Sequence, residues 1–130
     1  MGKQVVRTEH APAPFQGAPY SQAVRAGELV FVSGQLGLKP GEQALTGGTI
    51  AEQTAQVFAN LAAILEEAGS SLDRIVKTTV FLQSLEDFAG MNEVYAEYVG
   101  DQPPARATVE VAALPSGALV EIEAIAVVSS

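Results

Sequence analysis

The sequence predicts an α+β fold: a mixed β-sheet with two helices on one face. Two observations predict it. Strand-like segments outnumber helical ones and are joined mostly by short, turn-rich connections, and the order β-ββ-α-β-α-ββ supplies too few helices to cover both faces of a sheet. In 130 residues these elements make one two-layer sandwich domain, residues 1–130, with no internal repeat or linker.

Gln4-Val5-Val6-Arg7 is a short first strand, and the Pro/Ala-rich run from His10 to Gly17 is an extended surface loop. Gln22 to Arg25 and Leu29 to Ser33 flank Ala26-Gly27-Glu28, a connection that suits an antiparallel hairpin. Leu29-Val30-Phe31-Val32 is apolar on both faces, as a central strand should be. After the turn-rich segment from Lys39 to Gly48, Thr49-Ile50-Ala51-Glu52 offers a capping box. Ile50, Thr54, Val57, Phe58, Leu61, Ile64, Leu65 and Ala68 then recur at three- and four-residue steps, and Gly69 ends the helix. Ile75 to Leu82 is apolar and β-branched, hence a buried strand. Ser84-Leu85-Glu86-Asp87 caps a second helix over Phe88 to Val99. Gly100 to Pro104 breaks it, and Arg106 to Leu114 and Leu119 to Val128 are two final strands joined across Pro115-Ser116-Gly117-Ala118.

Composition narrows the function. Hydrophobic residues are 48% of the chain and charged ones 17%, rich for a small monomer, so partner subunits are expected to cover the sheet face that lacks helices. A formal charge of −8 repels phosphate backbones and argues against nucleic-acid binding. The absence of cysteine removes disulfides, thiol catalysis and Cys-based zinc sites, and fits the cytosol. No apolar run of membrane-spanning length and no basic-then-apolar leader occurs, so a soluble, cytoplasmic protein without membrane contact is expected.

One cation stands out. Arg106 is the only Lys or Arg after Lys77, and it lies in an otherwise apolar strand. Desolvating a guanidinium is costly unless an anion meets it, and its geometry suits a bidentate carboxylate. In the last strand, alternation sets Glu121, Glu123 and Ile125 on one face and Val120, Ile122, Ala124 and Ala126 on the other; Arg106, Thr108 and Glu110 likewise share a face. A hairpin around residues 115–118 would put Glu121 near Ala112, roughly 20 Å from Arg106 at strand spacing. Either the register is less simple, or the two side chains meet across a subunit boundary.

The run Pro104-Ala105-Arg106-Ala107-Thr108-Val109-Glu110-Val111-Ala112-Ala113-Leu114, followed by Val120-Glu121-Ile122, resembles the signature of the RidA/YjgF reactive-intermediate deaminase family. Collinear segments agree: Pro19-Tyr20-Ser21-Gln22-Ala23-Val24, Ser33-Gly34-Gln35-Leu36, Ile75 to Leu82, and Asp87-Phe88 through Asn92. The resemblance implies a chorismate-mutase-like fold, a homotrimer with clefts between subunits, and hydrolysis of 2-enamine and 2-imine acids, such as 2-aminoacrylate, to 2-keto acids and ammonia. That activity protects pyridoxal-phosphate enzymes. An imine carbon is already electrophilic, so no metal or cofactor is required; the site must orient the substrate and move protons. On the resemblance, Arg106 clamps the substrate carboxylate and Glu121 holds the attacking water, with Tyr20, Ser33, Gly34, Asn92 and Thr108 lining the substrate. Thr108 stands where many relatives carry Cys or Ser. The approach Phe15-Gln16-Gly17-Ala18-Pro19-Tyr20 departs from the commoner pattern with Gly directly before Pro-Tyr, so a loop of different shape is expected over the cleft.

Each residue also has a purely structural reading. Arg106 could pair with Glu110 or Glu123 of a neighbour, Glu121 could serve an arginine, Tyr20 could pack, Asn92 could support its helix, and Ser33-Gly34 could be a tight strand end. His10, the only histidine, sits in a polar loop as a bystander. Two other functions compete with the deaminase: a binding or sensing protein for 2-keto acids that does not turn them over, and, more distantly, a ribonuclease or translation inhibitor.

Overall fold

The computed structural model describes residues 2–42 and 44–128; Gln43, in the turn-rich segment, lies outside them. The first strand, β1, spans Lys3–Val6, and β2 (Ala23–Ala26) and β3 (Leu29–Gln35) form the expected hairpin. The long helix α1 covers Ile50–Glu67, followed by β4 (Ile75–Leu82), helix α2 (Phe88–Val99), β5 (Ala105–Glu110) and β6 (Val120–Val127). The chain is thus α+β, with the predicted element order.

Local chemistry accounts for the helix ends. Thr49 Oγ1 accepts from Glu52 N and the Glu52 carboxylate accepts from Thr49 N, so the predicted capping box is complete. At the other end Gly69 takes φ +85°, a left-handed conformation that glycine adopts without Cβ strain. A 3₁₀ turn over Leu85–Asp87 leads into α2, and Ser84 accepts from Glu86 N there.

The sheet order is β1-β2-β3-β6-β4-β5, and it corrects one expectation. The segment 115–118 does not close a hairpin between the last two strands. Instead β4 lies between them, parallel to β5 and antiparallel to β6. Strand β5 also stops at Glu110, short of Leu114. The physical reason is the α2 crossover: a helix between two strands returns the chain parallel to its start, so β5 joins β4 and occupies the sheet edge.

Val30, Val57, Phe58, Leu61, Ile64, Leu65, Val80, Leu82, Met91, Val120 and Ile122 are fully buried in one cluster between sheet and helices. As predicted, Val120, Ile122, Ala124 and Ala126 face this core. Among the described residues no helix lies over the opposite face. Across it run Val5, Val24, Phe31, Ile125, Lys77 and Ala105 in register, and Val5 and Phe31 are 53% and 43% exposed.

Buried amides hold the loops at one end of the sheet. Asn60 donates to the carbonyls of Leu36 (3.1 Å) and Leu38 (2.8 Å), and Gln53 donates to Gly47 O and accepts from Leu119 N. Gln22 Oε1 accepts from Thr8 N, while its Nε2 donates to Thr8 O, Ala11 O and Pro12 O. Asn60→Ala strands two buried carbonyls and is expected to lower the unfolding free energy by about 2–3 kcal/mol. Urea denaturation measures this, and a change below about 0.5 kcal/mol would show that the loops are held by other contacts.

Candidate active site

At the end of the sheet where β3 meets β6, the register slips between Val32 and Gln35. Val32 pairs with Ala124 and Gln35 with Ile122, so Ser33 and Gly34 together oppose Glu123. This is a bulge, which locally re-aims side chains. Ser33 is fixed on both sides of it: its N–H donates to Gln22 O (2.9 Å) and its hydroxyl to Ser21 O (2.6 Å). Beside it, the absence of a side chain on Gly34 makes room for Glu121. A Cβ built on Gly34 would lie 2.5 Å from Glu121 Oε2 and 2.8 Å from its carboxyl carbon.

A cleft of ≈ 440 Å³ opens here. Its polar lining includes Tyr20, Ser33, Gly34, Glu121 and Glu123, and its apolar lining includes Phe15, Leu36 and Leu38. Tyr20 Oη accepts from Phe15 N at 2.5 Å, which leaves the phenolic O–H free to donate. Burial and, secondarily, the neighbouring Glu123 carboxylate raise the pKa of Glu121 above the ordinary range. A half-buried carboxyl whose pKa is raised in this way holds a proton more readily than a solvated one, which suits a group that takes and returns protons.

Arg106, Asn92 and Thr108 are elsewhere. Arg106 is level with Thr78, which is opposite Ala124, whereas Glu121 is level with Phe81 and Val109. The first row faces the helices and the second the open side of the sheet. Arg106 and Glu121 are therefore about 14 Å apart at Cα, two strands across and three residues along, on opposite faces. They share no pocket within one chain.

Aromatic rings hold the guanidinium instead of a carboxylate. Arg106 Cζ lies 4.7 Å from the centroid of the Tyr95 ring and 5.6 Å from that of Phe88. Tyr95 is itself locked by Thr78 Oγ1 at 2.7 Å and by an edge-on contact with Phe58. Glu110, one structural candidate for pairing with Arg106, accepts from Leu85 N at 2.9 Å. Phe88, Asn92 and Tyr95 share one face of α2 by their spacing, and Asn92 Oδ1 and Thr108 Oγ1 are both buried without a hydrogen-bond partner. This second group thus consists of a cation stacked on aromatics and two polar atoms without bonds.

The seven site residues predicted from sequence thus fall into two halves: Tyr20, Ser33, Gly34 and Glu121 in the cleft, and Asn92 on α2 with Arg106 and Thr108 on the helix-facing side of β5. Residues that shape the cleft were missed. Phe15 figured only as part of a variant loop, and Gln22, Gln53 and Asn60, which fasten the cleft loops, were passed over. Gln53 and Asn60 did carry a signal, because their spacing to Val57 and Ile64 puts them on the buried side of α1.

The profile of the family described as Endoribonuclease L-PSP matches residues 8–128. A RutC family protein of Pyrococcus abyssi is 52% identical over 126 residues, 97% of this chain and 98% of that one. The 2-iminobutanoate/2-iminopropanoate deaminase of Mus musculus is 46% identical over 125 residues, 96% of this chain and 91% of its own. In three dimensions the chain superposes on RidA from the Antarctic bacterium Psychrobacter sp. with a TM-score of 0.91 at 47% identity, covering 96% of this chain and 99% of that one. Taken with the collinear motifs and the cleft geometry, these similarities establish that the chain belongs to the RidA/YjgF family.

Proposed function

We propose that this protein hydrolyses reactive 2-imine and 2-enamine acids to 2-keto acids and ammonia, in a homotrimer where Arg106, Asn92 and Thr108 of one copy complete the Glu121 cleft of another. The observation that carries this reading is the division of the site. One half of the chain holds a proton-transfer carboxyl in a cleft, and the other holds a guanidinium that, among the described residues, is engaged by aromatic faces. The apolar open face of the sheet supplies a surface on which copies can pack.

The chemistry follows from the two halves. Arg106 grips the substrate carboxylate through two parallel N–H donors and so fixes the imine carbon. Glu121 takes a proton from water as the water oxygen adds to that carbon and the C=N electron pair moves onto nitrogen, and it hands that proton to the nitrogen, which gives a neutral amino-alcohol. Glu121 then takes the proton of the new hydroxyl and delivers it to the amine. The C–N bond breaks, ammonia leaves and the C=O bond forms, so one water is consumed for each ammonia released. Tyr20 and Ser33 offer hydroxyls along the same wall to orient the water. The deaminase name of the mouse relative supports this reaction class. The word endoribonuclease in the family description is poorly matched by a chain of net charge −8 whose cleft presents two carboxylates to any phosphodiester.

With 2-aminoacrylate supplied by a dehydratase, wild type should accelerate keto-acid release, and Arg106→Ala or Glu121→Ala should each lose at least about a hundredfold in kcat/KM. Full activity in Arg106→Ala would refute the mechanism. Refolding the two inactive variants together should restore activity in about a quarter of the sites, because a site shared by two copies can draw each intact residue from a different chain. No restoration would place both residues in one chain's site. A pH effect also follows. The folded chain binds the Glu121 proton more tightly than the unfolded chain, so this group's contribution to stability falls as pH rises from the ordinary carboxylate range through the raised value. Glu121→Gln should therefore stabilise the fold more at pH 7 than at pH 4 in urea denaturation, and an equal effect at both would show that the carboxyl is not perturbed.

A further inference from the structure

We propose that Phe15 and the loop carrying it form a side-chain pocket that selects 2-imino acids with a bulky apolar substituent over three-carbon ones. The inference rests on the deaminase reading and assigns its substrate class. A planar imine carbon carries three groups. Arg106 takes the carboxylate, and Glu121 faces the carbon and nitrogen where water adds and ammonia leaves. The third group, the substrate side chain, is left to meet the rest of the cleft, where Phe15, Ala18, Leu36, Leu38 and Pro115 form an apolar wall beside the polar Gln22, Gln35 and Glu123.

That wall is built into the fold. Phe15 packs against the small buried cluster of Leu36, Leu38 and Ala118, together with Leu45 and Leu114. Its amide is tied to Tyr20 Oη, and a 3₁₀ turn bonds Gly17 N to Pro14 O and Ala18 N to Phe15 O. Gln16, inside the turn, has φ 53°, a left-handed conformation that costs a non-glycine residue and recurs at ligand clamps. The ring is thus packed on this cluster while the Phe15 backbone is tied to Tyr20. A substrate with a methyl group alone would leave the apolar wall in water, whereas a branched or aromatic side chain would cover it.

The test is a substrate series generated in place by an amino-acid oxidase acting on alanine, 2-aminobutyrate, leucine and phenylalanine, with imine loss measured above the uncatalysed rate. Wild type should favour the leucine-derived imine over the alanine-derived one by about tenfold or more in kcat/KM, and Phe15→Ala should remove about tenfold of that preference. A flat or reversed preference in wild type, or an unchanged preference in Phe15→Ala, overturns the inference. Phe15→Val provides the same comparison should the alanine variant not fold. Calorimetry with pyruvate and 4-methyl-2-oxopentanoate separates the two levels of the reading. Equal affinities sink the side-chain pocket even when every imine is turned over. A preference for the larger keto acid without turnover of any imine supports the pocket and sinks the deaminase.

Discussion

The close approach of Glu121 to Gly34 is the constraint around which the cleft is arranged. The carboxylate occupies the space that a Cβ at Gly34 would take, and that is possible only because the bulge at Ser33-Gly34 bends β3 away from its register with β6. The bulge in turn needs its backbone groups satisfied. Gln22 O accepts from Ser33 N, the Ser33 hydroxyl reaches Ser21 O, and Gln35 Nε2 donates to Ser33 O. Gln22 then uses its own amide to fasten the chain from Thr8 to Pro12. One line of hydrogen bonds therefore runs from the bulge to the loop that leads to Phe15 and Tyr20.

The arginine is prepared differently. Its partners in the chain are π faces, which attract a cation without consuming its hydrogen-bond donors. An ion pair with Glu110 would have occupied those donors, but Glu110 is committed to the amide of Leu85. The result is a guanidinium held in place by Tyr95 and Phe88, with no ion pair among the described residues. Asn92 Oδ1 and Thr108 Oγ1, buried and unbonded, have the same character. Buried polar atoms are rarely left without partners, so an unfinished group of this kind on the helix side suits a surface completed by another molecule.

Much of the fold was legible because it is specified by short-range rules. The capping box at Thr49, the stop at Gly69, the β-branched run from Ile75 to Leu82 and the alternation along Val120–Val127 each depend on neighbours within a few residues, and each was found where expected. The chemical identities at the site were equally legible, since Arg106 and Glu121 stand out against their strands. The burial of Gln53 and Asn60 was harder to see: polar side chains on a helix read as solvent-facing until the loops they bind are in place.

By itself, then, the sequence determined the element types, the core-facing residues of each and the chemically loaded side chains, because those depend on local periodicity and on what each side chain can do. Only the tertiary structure decided that β4 lies between β5 and β6, since strand order is set by long-range pairing and by the α2 crossover. That placement puts Arg106 and Glu121 on opposite faces of one sheet and separates the predicted site into two halves. It also brought Phe15, from a loop with no regular pattern, against Leu36 and Leu38, a contact between segments whose meeting no local rule could foretell.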